Sequence, residues 1–493
     1  MIAANLPALQ VVLPLLGAVV CAFFRRGIWA WSVALAVSLV MPAISAVLLA
    51  QVLTGGPISY AIGGWPPPIG IEYRIDVLNG FILLLISLIG AIIMPYAKRS
   101  VDQEIAADRQ PWFYAIFMLC LCGLLGIAIT GDAFNAFVFL EVSSLSTYAL
   151  ISMGKDRRAL LAAYQYLIMG TIGATFYVIG VGLLYSMTGT LNLADMASRL
   201  VPIENSRAVL AALAFLTVGI SLKLALFPLH VWLPNAYAYA PSMATAFLAA
   251  TATKAAVYLL LRYFFTVFGA SVIFKDLPVS EIFLLLSLAA MFGASIVAVF
   301  QENVKRMLAY SSVAQIGYIT LGIAIANKTG LTGGIVHLFN HAVMKGALFL
   351  AMGAVFYRIN SVKIDDLAGL GKRMPVTMGA LVIAGLSIIG VPGTAGFVSK
   401  WYLGLGAFEQ GWWWLVFLLV ASSLISVVYI GRIVEVVWFR PVSNAAKRAK
   451  EPPLSMLLPT LLLAAMTVYF GFDTSATANV AGRAAEWLLA GVR

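Results

Sequence analysis

Residues 223–254 read KLALFPLHVWLPNAYAYAPSMATAFLAATATK. Lysines stand at both ends of this stretch, as Lys223 and Lys254, and most residues between them are apolar. Pro228 and Pro234 interrupt the first half, and a proline inside a helix removes a backbone hydrogen bond and kinks the helix. The stretch therefore predicts a membrane helix broken at the two prolines, followed by a continuous span that carries Lys254 near its middle.

The rest of the chain has the same apolar character. Of its 493 residues, 62% are hydrophobic and 10% are charged, and the mean hydropathy is +0.98. Ordinary soluble domains have roughly a quarter of their residues charged. Apolar runs long enough to cross a bilayer as helices recur from end to end. We therefore predict an all-α polytopic membrane protein with fourteen spans, at about 5–24, 29–52, 77–97, 111–130, 132–152, 159–187, 207–229, 241–266, 279–301, 305–326, 330–357, 375–403, 411–438 and 454–472.

The loop charges support this count. With the N-terminus outside, 18 basic residues fall in the inside loops, Lys305 among them, and eight fall in the outside segments, Arg262 among them. Because basic loops stay on the cytoplasmic side, we expect a multi-pass protein of the bacterial inner membrane with both termini outside. The net charge of +11 then indicates contact with anionic lipid and not with nucleic acid.

The sequence also contains a weak internal repeat. LEVSS at 140–144 resembles LAYSS at 308–312, and Lys223 corresponds to Lys400. The offset spans five helices, an odd number, so the second unit would be inverted relative to the first, as in many transporters. The expected units are 1–110 (spans 1–3), 111–266 (first repeat, spans 4–8), 279–438 (second repeat, spans 9–13) and 454–493 (last span and tail).

The repeat predicts a second broken helix at Pro392 and Gly393, beside Lys400. Proline and glycine are frequent in membrane helices anyway, so each break alone is weak evidence. A lysine beside each break favours an ion pathway.

Titratable residues inside the spans are the candidate site. A charge at the centre of a membrane helix costs roughly 2.5–3.5 kcal/mol, so such residues need a reason to be there. Glu141 and Lys223 are either a structural ion pair or a proton acceptor whose affinity changes as the lysine moves; we favour the second. Lys400 lies near the end of its predicted span and could instead extend to the interface. The candidate proton pathway is Glu141, Lys223, His230, Lys254, His337, His341, Lys345 and Lys400.

Histidine spacing raises the question of a metal. His337, His341 and Lys345 lie at i, i+4 and i+8 on one helical face, which suits a proton relay. Two histidines at this spacing can also bind zinc, but no third ligand stands nearby, so we expect no metal site. His230 is either a relay member or a polar group at a helix end. No motif for a cofactor is present.

The stretch 223–254, together with Phe139–Leu140–Glu141, resembles the proton-conducting antiporter-like subunits. This family includes three large membrane subunits of respiratory complex I and large subunits of Mrp cation/proton antiporters. The resemblance covers roughly residues 70–440. Within the family the chain is most similar to the D-type subunits of Mrp Na⁺/H⁺ antiporters, on the segment LPNAYAYAPS at 233–242 and on its length.

The resemblance implies roles for several residues. It implies a glutamate–lysine pair, a central lysine, a histidine-bearing helix and a lysine at the second broken helix, matched by Glu141, Lys223, Lys254, His337, His341 and Lys400. It also implies partner subunits of the Mrp type, namely A, B, C, E, F and G, with protons and Na⁺ or another monovalent cation as the transported ions. The second-repeat counterpart of Glu141 is Ala309, so the two halves are not expected to conduct equally.

Three hypotheses follow. The first is a proton-translocating subunit of a multi-subunit Na⁺/H⁺ antiporter, without enzymatic chemistry of its own. The alternative is a proton-pumping membrane subunit of a redox-driven complex, such as a complex I-like NADH:quinone oxidoreductase or a membrane hydrogenase. The third is a scaffold whose charges only lock helices together.

Overall fold

A computed structural model describes residues 3–491 of the chain. Within this range the fold is helical apart from one small hairpin. The helices are α1 Leu6–Phe23, α2 Gly27–Gly55, α3 Val77–Glu104, α4 Gln110–Ile129, α5 Ala133–Ser152, α6 Arg158–Thr188, α7 Leu193–Leu200, α8 Arg207–Leu224, α9 Trp232–Tyr239, α10 Ser242–Leu261, α11 Val279–Ala289, α12 Ser295–Val299, α13 Val304–Ile325, α14 Lys328–Ile359, α15 Pro375–Ile389, α16 Ala395–Glu409, α17 Trp413–Val434, α18 Leu454–Phe472 and α19 Ser475–Ala490.

The predicted polytopic helical fold is confirmed. Among residues 3–491, thirteen helices are long and apolar enough to cross a membrane, counting α10, α11–α12 and α17 with the π-helical turns that extend or join them. The predicted span 375–403 divides into α15 and α16, which both pack against α14 and α18. Counting the bent pair Ile364–Lys372 and Pro375–Ile389 as one further span gives up to fourteen, the predicted number.

The bundle has two faces, which we name by their loops. The basic face carries the connections from α1 to α2, α3 to α4, α5 to α6, α12 to α13, α14 to α15 and α17 to α18. The terminal face carries the opposite helix ends and α19. Lys305, assigned to a loop from the sequence, instead lies in the first turn of α13 and is buried at the basic face, at 3% exposure.

The helices that carry the candidate lysines and histidines form the centre of the bundle. In 18-residue windows of α10 and α13, 94% of residues are buried, against 33% in α17 and α18. The side chains of α14 are buried continuously from Gly330 to Val355. Charges on central helices are shielded from lipid by protein, which is how membrane proteins tolerate them.

Two spans are broken near their middles, five spans apart, so they run in opposite directions. The first break separates α8 from α9 at residues 225–231 and contains Pro228. The second separates α15 from α16 at residues 390–394 and contains Pro392 and Gly393. Pro234 was expected to break the first helix but lies in the first turn of α9, where a missing backbone donor has no cost.

Two features at the terminal face were not anticipated. Strands β1 (Ile58–Ala61) and β2 (Glu72–Ile75) form an antiparallel hairpin. The tail after the last predicted span forms α19 and packs against α14 and α3.

Candidate functional site

The first pair of the candidate pathway is Lys223 with Glu141. Lys223 lies in the last turn of α8, just before the first break, and is buried. Its ammonium nitrogen lies 3.6 Å from Oε1 of Glu141 and donates a hydrogen bond to Ser144 Oγ at 2.7 Å. Glu141 and Ser144 share one face of α5, so the lysine lies between a carboxylate and a hydroxyl and can shift from one to the other.

Lys254 is fully buried in α10, and no acidic side chain of residues 3–491 forms an ion pair with it. Its ammonium group donates to the carbonyl oxygen of Ala249 at 2.5 Å and approaches the hydroxyl of Thr253 at 3.4 Å. A lysine held only by neutral acceptors loses its hydration without gaining an opposite charge. Because no opposite charge holds its proton, Lys254 can also exist as the neutral amine. This suits a group that gives up and takes back a proton.

His341 lies near two lysines, Lys254 and Lys345. Both Lys254 and Lys345 act electrostatically on His341. Within the described part of the chain, neither ring nitrogen of His341 has a hydrogen-bond partner, although the side chain is fully buried. Buried polar atoms without protein partners are commonly satisfied by ordered water. Space for water at this point would connect the two lysines through the imidazole.

Lys345 and His337 continue the row along α14, on either side of His341. Lys345 donates to the carbonyl oxygen of Leu308 at 2.8 Å and to Ser311 Oγ. The ring of His337 makes hydrogen bonds to Ser399 Oγ at 2.7 Å and to Gln315 Oε1 at 3.0 Å. The His337 and His341 rings are nearly parallel, with centroids 6.3 Å apart.

Lys400 ends the row at the second break. Its ammonium group donates to the carbonyl oxygens of Ile388 and Ile389 at 3.0 and 2.9 Å and to Ser423 Oγ at 2.9 Å. It also lies 4.5 Å from the ring centroid of Tyr318. The interruption after Ile389 leaves the last carbonyls of α15 free, and these carbonyls with the helix dipole attract a cation. Lys400 therefore points into the protein and does not extend to the interface.

His230 is not joined to the other candidates. It lies in the first break, stacks on Phe227 at 5.1 Å between ring centroids and approaches Tyr310 at 6.3 Å. Its Nδ1 is buried without a partner among the described residues. The structure thus brings together Lys254, His341, Lys345 and His337, pairs Lys223 with Glu141, and leaves His230 apart.

Two further groups of charges, with Asp76, Arg262 and Lys305 buried and Glu104 half-buried, were not identified from the sequence. At the terminal face, Arg262 is buried in an ion pair with Asp76, 2.5 Å between Nη2 and Oδ2, and was misplaced in an outside segment by the sequence. At the basic face, Glu104 and Lys305 both bond to Ser242. All four charges stand at helix ends, where sequence alone cannot tell a buried charge from a loop charge.

The site offers no metal-binding set. Over residues 3–491, no cluster of three or more histidine, cysteine, aspartate or glutamate side chains could hold a metal ion. The three cysteines, Cys21, Cys120 and Cys122, are free and buried. The chemistry available to this arrangement is proton exchange between lysines, histidines, one carboxylate and water.

Comparison with known proteins places this arrangement in a family. Residues 130–426 match the family described as NADH:quinone oxidoreductase/Mrp antiporter, transmembrane. The chain belongs to this family. The N subunit of the NADH-quinone oxidoreductase of Desulforudis audaxviator is 43% identical, with 99% of each chain covered.

An antiporter relative and a solved structure extend the comparison. The D subunit of the Na⁺/H⁺ antiporter of Bacillus subtilis is 28% identical, with 98% of this chain and 97% of the relative covered. A chain in the structure of a membrane-bound sulfane sulfur reductase, an archaeal respiratory membrane complex, superposes with a TM-score of 0.90 at 31% identity, covering 99% of this chain and 98% of that one. The predicted resemblance to antiporter-like subunits is confirmed, and the chain is a proton-translocating, antiporter-like membrane subunit.

Proposed function

We propose that the row Lys254, His341, Lys345, His337 and Lys400 carries protons through the middle of the membrane, and that the Glu141–Lys223 pair couples this transfer to a partner subunit. One observation supports the pathway above all. Among residues 3–491, no carboxylate lies within 4.0 Å of the ammonium groups of Lys254, Lys345 or Lys400. Charges that only lock helices are expected in neutralising pairs, because unpaired buried ions are costly.

Movement of Lys223 is the coupling step in this proposal. In the structure its ammonium group is bonded to Ser144 and lies slightly beyond hydrogen-bond distance from Glu141. Glu141 remains partly exposed at the edge of the bundle, with 27% of its side chain accessible. A charge on a neighbouring subunit near Glu141 would weaken its hold on Lys223, and the change in potential would favour or oppose protonation of the next lysine.

The assembly that contains this subunit is a separate question. The Na⁺/H⁺ antiporter, our first hypothesis, is supported by the 28% identity to the D subunit of an antiporter over nearly the whole chain. A redox-driven complex is supported by the 43% identity to the N subunit of a quinone oxidoreductase and by the respiratory structure at 31%. The higher identities favour the redox-driven complex. In both assemblies the proposed role of this chain is the same, namely proton conduction.

One preparation tests both alternatives. The tagged chain would be expressed with its whole gene cluster, and acidification would be followed in everted membrane vesicles after adding either Na⁺ alone or a respiratory electron donor. A pH change driven by Na⁺ without a donor supports the antiporter. A donor-dependent pH change, with iron–sulfur signals in the purified assembly, supports the redox-driven complex. Absence of both responses would contradict proton translocation by this chain.

A further inference from the structure

A polar cavity of about 540 Å³ opens at the basic face, outside the row of lysines and histidines. It is enclosed by the α5–α6 loop, the end of α9, the α12–α13 loop and the end of α14. Lys155, Arg158 and Lys363 on its rim are exposed, whereas Lys305 and Ala240 deeper inside are buried. The cavity therefore extends from the surface to the level of the first turn of α13.

The charges around the cavity disfavour a metal cation. Its wall has five basic and three acidic side chains: Lys155, Arg158, Lys305, Arg306, Lys363, Glu104, Asp156 and Glu302. Hydrogen bonds from the side chain and backbone of Arg158 lower the pKa of Asp156, so this carboxylate stays ionised and is already occupied by the arginine. The surplus of positive charge disfavours Na⁺ and any other free cation, so a proton that enters must be taken up directly by a carboxylate of the wall.

Glu104 and Lys305 line the inner wall of the cavity, and both bond to Ser242, which is buried behind them. Lys305 donates to Ser242 Oγ at 2.9 Å. Glu104 accepts the backbone N–H of Ser242 at 3.0 Å and the hydroxyl of Ser100 at 2.7 Å. A carboxylate and an ammonium group thus meet at one serine, and Ser242 is the first residue of α10, the helix that carries Lys254.

Helix α13 leads from this inner wall to the candidate pathway. Six residues after Lys305, a rise of about 9 Å, Ser311 binds Lys345. Gln315, one turn further, binds His337, and Tyr318 lies beneath Lys400. Ser311, Gln315 and Tyr318 follow one strip of the helix, spaced four and three residues apart, and contact three residues of the row. Lys305 lies about 120° around the helix from this strip, so the step from Lys305 to Lys345 requires water.

We propose that this cavity is the proton inlet of the basic face, with Glu104 and Lys305 as the groups that exchange protons with the water inside it. The inference rests on the proposed proton translocation and names its access route. Only protons move in the step. Hydronium gives a proton to the Glu104 carboxylate, the protonated acid passes the proton through cavity water to the neutral amine of Lys305, since both side chains line the cavity, and the proton then moves through water along α13 to the neutral amine of Lys345.

Blocking the cavity tests this route in the intact assembly. In a Gln301→Cys variant the new thiol stands in the cavity wall, and it is labelled from each side of the membrane with a membrane-impermeant anionic methanethiosulfonate. The native cysteines are buried and do not compete. Ala445→Cys is the matched control, because Ala445 is exposed on a basic-face loop outside the cavity.

Labelling of Gln301→Cys is expected from the basic face only. Proton movement should then fall roughly a hundredfold, the lower end of what one positioned proton-transfer group contributes. Labelling of Ala445→Cys should leave it unchanged. Complete labelling of Gln301→Cys with unchanged proton movement would overturn the inlet while proton translocation stands. No proton movement in the unlabelled native assembly would instead contradict the proposed function.

A second measurement does not depend on transport. Ser242→Cys is nearly isosteric, and its thiol should react with a small methanethiosulfonate from the basic face, because water reaches the inner wall of the cavity. A thiol at this position that reacts from neither face would overturn the inlet. Lys305→Met should lose proton movement in a correctly assembled protein. Lys447→Met should keep it, because Lys447 is exposed on a basic-face loop outside the cavity. Equal behaviour of the two variants also counts against the proposal.

Discussion

The ammonium nitrogen of Lys223 lies 3.6 Å from Oε1 of Glu141 and 2.7 Å from Oγ of Ser144. Lys223 therefore donates a hydrogen bond to the neutral hydroxyl of Ser144, while the charged carboxylate of Glu141 lies just beyond hydrogen-bond distance. The proposed coupling uses a second arrangement, in which the ion pair tightens and the serine is released. A subunit that couples to neighbours needs an element with two arrangements of this kind.

Replacing Glu141 should uncouple the pair without unfolding the chain. Glu141→Gln keeps the size of the side chain and removes its charge, so Lys223 loses its counter-ion and the signal to the next lysine. We expect proton movement in vesicles to fall by roughly a hundredfold, within the range for loss of a positioned proton-transfer group. The matched control is Glu281→Gln, since Glu281 is exposed in the first turn of α11. Full activity of Glu141→Gln at equal protein levels would refute the coupling role.

Gly390 determines whether Lys400 can reach the carbonyls of α15. Its φ of +89° is strained for other residues, and an added Cβ would lie 2.9 Å from Cδ of Lys400. Gly390→Ala should therefore destabilise the fold by about 1–2 kcal/mol and displace the ammonium group. We expect a lower thermal midpoint of the purified assembly together with reduced proton movement.

The control for Gly390 stands in the next helix. Gly404 in α16 has no atom within 4 Å of an added Cβ, so Gly404→Ala should keep both stability and proton movement. If the two alanine variants behaved alike, the requirement for glycine at the second break would be wrong.

The spans and the charged residues inside them are visible in the sequence because membrane insertion leaves strong local signals. An apolar run of about twenty residues is visible without tertiary structure, and a lysine inside such a run is conspicuous, as with Lys254. Contacts between distant helices leave no such signal. Nothing in the sequence shows that Lys345 bonds to Ser311 or that His230 lies apart, because the partners come from other helices.

Charged residues at helix ends were assigned incorrectly from the sequence. Lys305 and Arg262 were counted as loop charges because they stand at the edges of apolar runs. In the fold each is buried by a segment distant in sequence: Lys305 by the start of α10 and Arg262 by α3 and α19. The loss of Pro234 as a break has the same origin, since its effect depends on where α9 begins.

The Asp76–Arg262 pair at the terminal face should be a major source of stability. Both side chains are buried, and Trp487 of α19 lies 5.1 Å from the guanidinium. Removing one partner of a buried ion pair costs about 3–5 kcal/mol, because the other charge is left uncompensated. Asp76→Asn should therefore lower the thermal midpoint strongly, and the double variant Asp76→Asn/Arg262→Gln should recover part of the loss.

A control for this pair is available on α19, the helix that carries Trp487. Glu486 of α19 pairs with Lys328 at 2.9 Å, and both side chains are more than half exposed. Glu486→Gln should leave the thermal midpoint unchanged, because exposed pairs contribute little. A drop as large as that of Asp76→Asn would show that α19 is held by surface charge and not by the buried arginine.

His341 should be hydrated. Both of its ring nitrogens are buried without protein partners, and Gln315 Nε2 and Asn340 Oδ1 are likewise unpaired within residues 3–491. A high-resolution map of the assembly should show ordered water at hydrogen-bond distance from the imidazole, since polar cavities of sufficient size hold water. A map that shows only apolar side chains around His341, without water, would contradict a continuous proton pathway through this residue.

The Lys254→Met substitution distinguishes a proton-conducting role of this chain from a purely structural role. The ammonium group of Lys254 has only neutral acceptors and is near Lys345 and His341, so its removal takes away a buried charge and leaves no carboxylate unpaired. Replacing a buried charge by an apolar group of similar size is often neutral or stabilising. We therefore expect an assembly with an equal or higher thermal midpoint that moves protons roughly a hundredfold more slowly. A scaffold role predicts the reverse, namely loss of assembly, with normal proton movement in whatever complex still forms. The measurement is the thermal midpoint and the initial rate of acidification on the same preparation, with Lys254→Arg as the variant that keeps the charge but cannot release the proton.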